Sequence, residues 1–337
     1  MKYYQSYLLQ TILFFTIHNS ALCQDRNTNI GINLCGAEFG AQNLPGIINH
    51  DYTYPTENDI RYFVHKGFKL IALPFRWERI QHQPFAELDK AELQQIAKFI
   101  NTCYMYNVQV SLTMQNFAAY KNQNTELLLG SSQLSYKAFK DVWKKIAASL
   151  INFPNIYAYD IMNEPRKIFG NAWFKAAEHA ILGIREVDTA TTIIIDGENS
   201  SFAYDWKFDN NKLRKLKDPY NKLVYDAHCY FDFDHSGRYD TKYDRKIDPD
   251  MGVLSVKPFI DWLKKYKKKG IIGEFGVPAS DARWLVVMDN FLAYINKEGV
   301  PANYWAAGAW WHDYDLSVHP KNGNDKPQMR VLEKYIR

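Results

Sequence analysis

Cysteine is scarce in this sequence, and the common metal-binding patterns are absent. Only 4 cysteines occur in 337 residues, and neither Cys-x-x-Cys nor His-Glu-x-x-His is present, so we predict no metal site. If a leader ends at Cys23, the remaining cysteines are odd in number, which argues against a disulfide framework. No Gly-x-Gly-x-x-Gly follows the first predicted strand, so the usual signature of an open-sheet dinucleotide-binding domain is missing. We therefore predict no cofactor.

Long hydrophobic runs are also rare. Residues 7–17 (YLLQTILFFTI) form an apolar stretch that follows Lys2 and precedes Ala21-Leu22-Cys23, as in a secretory leader with a cleavage site. The stretch is too short to span a bilayer, and no later segment has 18 uninterrupted apolar residues. We therefore predict a signal peptide at 1–23, one domain at 24–337, a secreted or periplasmic location and no stable membrane association.

Neither sign of charge is in large excess. The chain has 41 Lys+Arg against 37 Asp+Glu, a formal net charge of +4, which does not suggest a nucleic-acid-binding protein. The densest basic runs, Lys212–Lys217 and Lys264–Lys269, are interpreted as solvated faces. We predict a monomer.

Aromatic residues, in contrast, are abundant: 23 Tyr, 20 Phe and 9 Trp. Aromatic rings bury a large area at low entropic cost, and they also stack on the apolar faces of sugar rings. A barrel core accounts for most of them. It accounts less well for a cluster near the C-terminus, which consists of Tyr304, Trp305, Trp310, Trp311 and Tyr314.

Apolar, β-rich runs alternate with segments of helical periodicity, which predicts βαβ units and a parallel sheet. Eight such repeats favour one closed (β/α)8 TIM barrel over an open sheet. The predicted strands are Ile30–Leu34, Leu70–Phe75, Val108–Thr113, Ile156–Met162, Thr192–Asp196, Leu223–Ala227, Ile271–Gly273 and Ala302–Ala306. The predicted helices are Thr56–Lys66 (with a capping pattern at Thr56-x-x-Asp59), Lys90–Tyr106, Tyr136–Asn152, Trp173–Asp188, Val256–Lys269 and Asp281–Glu298. Between the sixth strand and the helix that follows it, the polar segment Asp232–Leu254 predicts a long loop on the active-site face.

Two glutamates are placed for chemistry rather than for stability. Glu164 lies in YDIMNEP and Glu274 in GIIGEFG, each just past a run typical of a buried strand. Active sites of α/β barrels collect at the carboxyl ends of such strands. Two carboxylates are the minimum apparatus for cleaving a glycosidic bond, because one protonates the leaving oxygen while the other attacks the anomeric carbon or activates water.

Other polar and aromatic side chains follow the predicted strands and would converge on the same barrel mouth. They are Arg76 after strand two; Gln115, Asn116 and Tyr120 after strand three; Asn163 after strand four; His228 and Tyr230 after strand six; and Trp305 after strand eight, with Trp311 close behind it. Glu78 is interpreted as a partner for nearby arginines.

From about Gly31 to Asn322 the chain resembles glycoside hydrolase family 5, the large family of retaining cellulases, and is most similar to its fungal-type endo-β-1,4-glucanase branch. The similar segments are GINLCGAEFG, YFVHKGFKLIALPFRWERIQ, YDIMNEP, DAHCYFDFDHSG, IIGEFG and YWAAGAWWHDYDLSVHP. The resemblance implies a secreted retaining endoglucanase that acts on β-1,4-glucan or a related polysaccharide.

The resemblance also implies a role for each site residue. Glu164 would be the general acid/base and Glu274 the nucleophile. Asn163 would bond the sugar 2-hydroxyl, Trp305 would lie under the −1 sugar, and His228 would lie near Glu164. Two residues would act on Glu274: Tyr230 by a hydrogen bond, and Arg76 by a charge-assisted one that lowers its pKa.

The chain departs from the family pattern after strand three, where a His-Asn pair is usual and Gln115-Asn116 stands instead. Glutamine donates and accepts hydrogen bonds but carries no charge. Two alternatives therefore stay open: another β-glycanase acting on mannan, xyloglucan or an exopolysaccharide, or a glycan-binding barrel without turnover.

Overall fold

Eight parallel strands close into a barrel in the computed structural model, which describes residues 30–122, 125–240 and 242–336. The strands in chain order are β1 (Ile30–Leu34), β2 (Leu70–Phe75), β3 (Gln109–Met114), β4 (Ala119–Asn122), β5 (Thr125–Leu128), β6 (Ile156–Asp160), β7 (Thr192–Asp196), β8 (Leu223–His228), β9 (Lys269–Phe275) and β10 (Ala302–Ala307). The closed order is β1-β10-β9-β8-β7-β6-β3-β2, whereas β4 and β5 form a separate antiparallel pair. The predicted (β/α)8 barrel is confirmed.

Helices follow the barrel strands along the chain. They are α1 (Glu57–His65), α2 (Trp77–Ile80), α3 (Lys90–Met105), α4 (Tyr136–Leu150), α5 (Ala172–Arg185), α6 (Trp206–Asp209), α7 (Met251–Tyr266), α8 (Ala282–Glu298) and α9 (Pro327–Leu332), with short 3₁₀ turns at Asn211–Lys215, Lys242–Arg245 and Ala309–Trp311.

Helix α4 shows how the helices attach to the barrel. It buries Phe139, Val142, Trp143 and Ile146, which recur every three or four residues and therefore share one face. Trp143 packs edge-on against Phe75 of β2, with ring centroids 6.2 Å apart. Strands β1 and β2 are buried along their whole length, as expected for strands enclosed by helices.

The capping pattern predicted at the start of α1 is present. The Thr56 side chain accepts from the Asp59 backbone N–H, and the Asp59 side chain accepts from the Thr56 backbone N–H. This reciprocal pair satisfies two of the donors that a helix start leaves without partners.

The predicted start of one helix was wrong, and one strand pair was not predicted. Helix α7 begins at Met251 rather than at Val256, so the last four residues of the predicted loop Asp232–Leu254 are helical. The predictions also omitted the β4–β5 pair, whose strands have only four residues each. The rest of the predicted loop follows β8 as expected. Its first turns are tied to Asp232, whose carboxylate accepts from the backbone N–H groups of Gly237, Arg238 and Tyr239.

The two basic runs meet at the end of the barrel opposite the carboxyl ends of the strands. One precedes β8 and the other leads into β9, and both line a single groove with a volume of ≈ 1110 Å³. Lys215, Lys217, Lys267 and Lys269 are exposed, as predicted for solvated faces. We refer to this feature as the basal groove.

The predicted signal peptide lies outside the described residues. Within the described ranges, no helix is long and apolar enough to cross a membrane, and Cys35, Cys103 and Cys229 are buried free thiols.

Candidate active site

Glu164 and Glu274 meet at the carboxyl end of the barrel. Glu164 lies four residues beyond the end of β6, whereas Glu274 is the penultimate residue of β9 rather than lying past it. Carboxylate oxygens of the two residues lie within 4.8 Å of each other. The Glu274 side chain is buried, and that of Glu164 is 14% exposed. The pair therefore faces a common space that remains open on the Glu164 side.

The backbone holds Glu164 in an unusual conformation. Its φ is 45°, in the left-handed region that costs free energy for any residue other than glycine. The Glu164 N–H donates to Oδ2 of Asp196 at 2.8 Å, and Arg166 lies 3.2 Å from the Glu164 carboxylate. The loop after β6 is thus fixed at the residue where the sequence predicted an acid/base.

His228, the last residue of β8, links the two glutamates. Its Nδ1 lies 3.0 Å from Oε1 of Glu164 and 3.5 Å from Oε2 of Glu274. Burial alone would lower the pKa of His228, but the negative charges of Glu274 and Glu164 outweigh it and raise the pKa to about 10. The imidazole is therefore a cation at neutral pH and partly neutralises both carboxylates.

Tyr230 donates a hydrogen bond to Oε2 of Glu274 at 2.7 Å, which is the contact expected from the sequence. Burial raises the pKa of Glu274 to about 7, while the His228 cation and the Tyr230 hydroxyl oppose that rise. The prediction that Glu274 has a lowered pKa was wrong, because desolvation of the carboxylate dominates.

The predicted contact between Arg76 and Glu274 was also wrong. The guanidinium of Arg76 donates to the backbone carbonyl of Gln115 and lies 3.4 Å from the carboxylate of Glu78. Among the described residues, no hydrogen bond or ion pair joins Arg76 to Glu274. Glu78 is an arginine partner, as interpreted from the sequence. Arg76 pairs with Glu78 instead of with Glu274, its predicted partner.

Asn163 is buried close to Glu274, and Gln115 is buried directly after the end of β3. Asn163 lines the same small cavity as Glu274 and His228, a space of ≈ 10 Å³. Its side-chain nitrogen has no hydrogen-bond partner among the described residues, and neither has the side-chain oxygen of Gln115. Both amides therefore keep polar atoms available for another group.

Asn116 and Tyr120 do not join this group. The Asn116 side chain accepts from the Trp77 N–H and donates to Glu78, while the Tyr120 hydroxyl donates to the carbonyl of Gln81. Both are almost completely buried. They attach the segment after β3 to helix α2, so we assign them a supporting role rather than a contact with substrate.

Aromatic rings line the mouth beside Glu274. Trp305 is partly exposed on β10 and packs edge-on against Trp311, with centroids 5.9 Å apart. Trp311 stacks on Tyr314 at 4.4 Å. Tyr304, which the sequence placed in the same cluster, is instead a core residue whose hydroxyl bonds the carbonyl of Leu316. Trp305, Trp311 and Tyr314 are partly exposed and offer flat apolar surfaces near Glu274.

A comparison with known protein families matches most of the chain. The model of the cellulases of glycosyl hydrolase family 5 matches residues 32–310. The chain belongs to glycosyl hydrolase family 5.

Relatives of this family 5 glycoside hydrolase cover nearly its whole length. The endo-β-1,4-glucanase B of Emericella nidulans is 30% identical over 313 residues, which span 92% of this chain and 92% of that protein. The endoglucanase Cel5A of Pseudomonas stutzeri, crystallised in complex with cellobiose, is 39% identical with a TM-score of 0.88, over 91% of this chain and 92% of that one. The endo-β-1,4-glucanase Xac0029 of Xanthomonas axonopodis pv. citri is 30% identical with a TM-score of 0.85, over 92% of this chain and 98% of that one.

Three buried aspartates of this family 5 enzyme were missed from the sequence. Asp160 and Asp196 end β6 and β7, and Asp226 lies next to Asp196 in the β7–β8 register. Burial raises the pKa of Asp160 to about 6 and those of Asp196 and Asp226 well above the usual range. An aspartate at the end of an apolar strand is the signal that could have found them.

Two groups here have the donor atoms of a metal site: Glu164, His228 and Glu274 in one, and Asp196, Asp226 and His228 in the other. A histidine binds a metal only in its neutral form. His228 belongs to both groups, and its raised pKa keeps it protonated at neutral pH. A metal at either group would therefore have to displace the proton of His228.

Proposed function

We propose that this family 5 enzyme is a secreted, monomeric endo-β-1,4-glucanase that cleaves β-1,4-glucan with retention of anomeric configuration. The distance of at most 4.8 Å between oxygens of Glu164 and Glu274 carries the proposal. Retaining glycosidases place their carboxyl groups about 5–5.5 Å apart, whereas inverting enzymes need about 6.5–9.5 Å to admit a water molecule.

Glu274 attacks the anomeric carbon while Glu164 protonates the leaving oxygen. In the second step Glu164 accepts a proton from water, which hydrolyses the glycosyl-enzyme. His228 touches both carboxylates, so its positive charge lowers the cost of ionising Glu274 in a buried site. The free side-chain nitrogen of Asn163 donates to the sugar 2-hydroxyl, and Trp305 supplies the surface under the −1 sugar.

Support for the substrate comes from the relatives: two are endo-β-1,4-glucanases, and the third is an endoglucanase crystallised with cellobiose. Release of reducing ends from β-1,4-glucan, mannan, xyloglucan and bacterial exopolysaccharides tests the proposal. Fastest release is expected from β-1,4-glucan, and faster release from another polymer would replace it as the substrate. No release from any polymer by a protein that still binds glycans would indicate a non-catalytic barrel.

Stereochemistry is tested separately by proton NMR of the first product formed from a soluble cello-oligosaccharide. We expect the β-anomer before mutarotation. Initial formation of the α-anomer would rule out the double displacement.

The predicted leader supports secretion or export to a periplasm. Expression of the full-length chain and mass spectrometry of the exported protein test it. The proposal requires a mature N-terminus after the apolar stretch 7–17, and retention of that stretch would contradict it.

A further inference from the structure

Asp196 is a buried residue, and one of its two carboxylate oxygens contacts both Glu164 and His228. Oδ2 accepts the backbone N–H of Glu164 at 2.8 Å and lies 3.6 Å from Nε2 of His228. The other ring nitrogen of His228 lies 3.0 Å from the Glu164 carboxylate. The contacts therefore form a closed ring that runs from Asp196 through the Glu164 backbone and side chain to His228 and back.

The Glu164 backbone needs such a partner. A left-handed conformation at a residue other than glycine persists only where the surroundings hold it, and φ is 45° here. The neighbouring amides bond to other backbone groups: Asn163 donates to the Met114 carbonyl, and Phe117 donates to that of Asn163. The Glu164 N–H bonds instead to a side chain, so a single substitution can remove its partner.

Asp196 does not need a negative charge for this task. Its carboxyl group is buried beside that of Asp160, and burial together with the charges of Asp160 and Asp226 raises its pKa well above the usual range, which favours the neutral, protonated form. The charged groups around the pair are Asp226 and His228 from β8 and Glu164 from the loop after β6, and Glu274 on β9 reaches the same imidazole. A neutral carboxyl oxygen accepts an N–H much as an amide oxygen does.

We propose that Asp196 is a positioning residue that holds Glu164 and His228 in place for proton transfer to the leaving group, and that it acts as a neutral hydrogen-bonding group. This inference rests on the proposed role of Glu164 as acid/base.

The test compares Asp196→Asn and Asp196→Ala on two substrates, a soluble β-1,4-glucan and 2,4-dinitrophenyl β-cellobioside. The amide keeps the acceptor for the Glu164 N–H and a donor for Asp160, so Asp196→Asn should retain kcat within about threefold on both substrates. Asp196→Ala releases Glu164, and a misplacement of about 1 Å can cost roughly 100-fold. That loss should appear in kcat/KM on the glucan, which reports the glycosylation step. In the same step on the aryl substrate, measured by pre-steady-state release of dinitrophenol, it should stay below about tenfold, because a good leaving group needs little protonation.

Asp226→Ala is the matched control. Asp226 is also a buried strand-end carboxylate, but its oxygen accepts the N–H of Gly273, the residue before the nucleophile, at 2.5 Å. Loss of this carboxylate should disturb Glu274 and therefore lower the rate of glycosylation equally on both substrates.

Two outcomes would overturn the proposal. Equal losses on both substrates for Asp196→Ala would make Asp196 a merely structural residue, and a loss in Asp196→Asn as large as in Asp196→Ala would show that the charge matters. If Asp196→Ala does not fold, Asp196→Ser, whose shorter hydroxyl cannot span the same distance, replaces it under the same criteria.

A crystal structure of the alanine or serine variant gives a readout that is independent of activity. The proposal requires Glu164 to leave its left-handed conformation or its carboxylate to move away from His228, and an unchanged Glu164 would refute it. If the wild-type protein cleaves neither substrate, the proposed function fails, while this structural readout still decides the role of Asp196.

Discussion

The side chain of Glu274 shows how function opposes stability at a single residue. It is fully buried next to a second carboxylate, and burial raises its pKa to about 7. A protein selected only for stability would place an apolar or amide side chain there. A buried carboxylate of this kind contributes unfavourably to the free energy of folding, as is common for residues kept for activity.

Substitution of Glu274 by Gln should abolish turnover, by roughly 10³-fold or more, because the amide keeps the shape but cannot attack the anomeric carbon. Glycan binding and the fold should remain. Reducing-end assays, together with calorimetric binding of cello-oligosaccharides, check both parts. Residual activity close to wild type in a purified sample would refute the assignment.

Substitution of Glu164 by Ala should show the signature of a lost acid. We expect a loss of about 10²–10⁴-fold in glycosylation by natural polymer. Aryl glycosides with good leaving groups should suffer less in that step. Pre-steady-state release of the aryl alcohol measures it, and equal losses on polymer and aryl glycoside would contradict the role.

Gln115 is the residue at which this chain departs from its family, and Gln115→His tests what the departure does. If Gln115 only positions a sugar hydroxyl, the histidine should raise kcat/KM on β-1,4-glucan by roughly tenfold, equivalent to about 1.4 kcal/mol. If it is fitted to another polymer, activity on that polymer should fall while activity on β-1,4-glucan rises. Gln109→His is the control, since Gln109 is exposed at the other end of β3. No change on any polymer would mean that Gln115 does not contact substrate.

At the scale of elements, the start of helix α1 gives a test of local stability. Thr56→Ala removes the side-chain half of the capping box and should lower the free energy of unfolding by about 1 kcal/mol. Thr102→Ala, on the exposed side of α3, makes the same substitution in a helix interior, where alanine is the better helix former. Urea denaturation of both variants checks the contrast, and equal effects would contradict a role for the cap.

Elements also show what the sequence could and could not predict. The barrel strands were predictable because each is a short apolar run between segments with the periodicity of amphipathic helices. The start of α7 was not, because Asp250 provides no side-chain cap there. The position of Asp196 was readable at the end of β7, but its contact with the Glu164 backbone depends on how neighbouring strands align when the barrel closes. For the same reason the sequence indicated Glu78 as a partner for nearby arginines but paired Arg76 with Glu274.

The stability of the whole molecule should depend on pH through its site. Both Glu274 and His228 have raised pKa values in the folded protein, about 7 against 4.5 and about 10 against 6.5. The folded state therefore binds more protons than the unfolded state, and the free energy of unfolding should fall as pH rises from about 4.5 to 10. Each group contributes at most about 1.4 kcal/mol per pH unit within its own window.

Glu274→Gln tests this dependence, because it removes one raised carboxyl group and the charge that contributes most to raising the pKa of His228. Urea denaturation between pH 5 and 9 should give a shallower slope for the variant than for wild type. Glu87→Gln is the control, since that side chain is 93% exposed. A slope as steep as wild type in Glu274→Gln would contradict the account.

The basal groove places a cluster of basic side chains at the end of the barrel opposite the active site. Its lysines and Arg214 concentrate positive charge on one end of a molecule with a net charge of only +4, so an anionic surface attracts that end first. Beads that carry sulfonate groups should therefore hold the protein upright, with the cleft facing the solution. Enzyme adsorbed in this way at low ionic strength should continue to hydrolyse a soluble glucan, and added salt should release it.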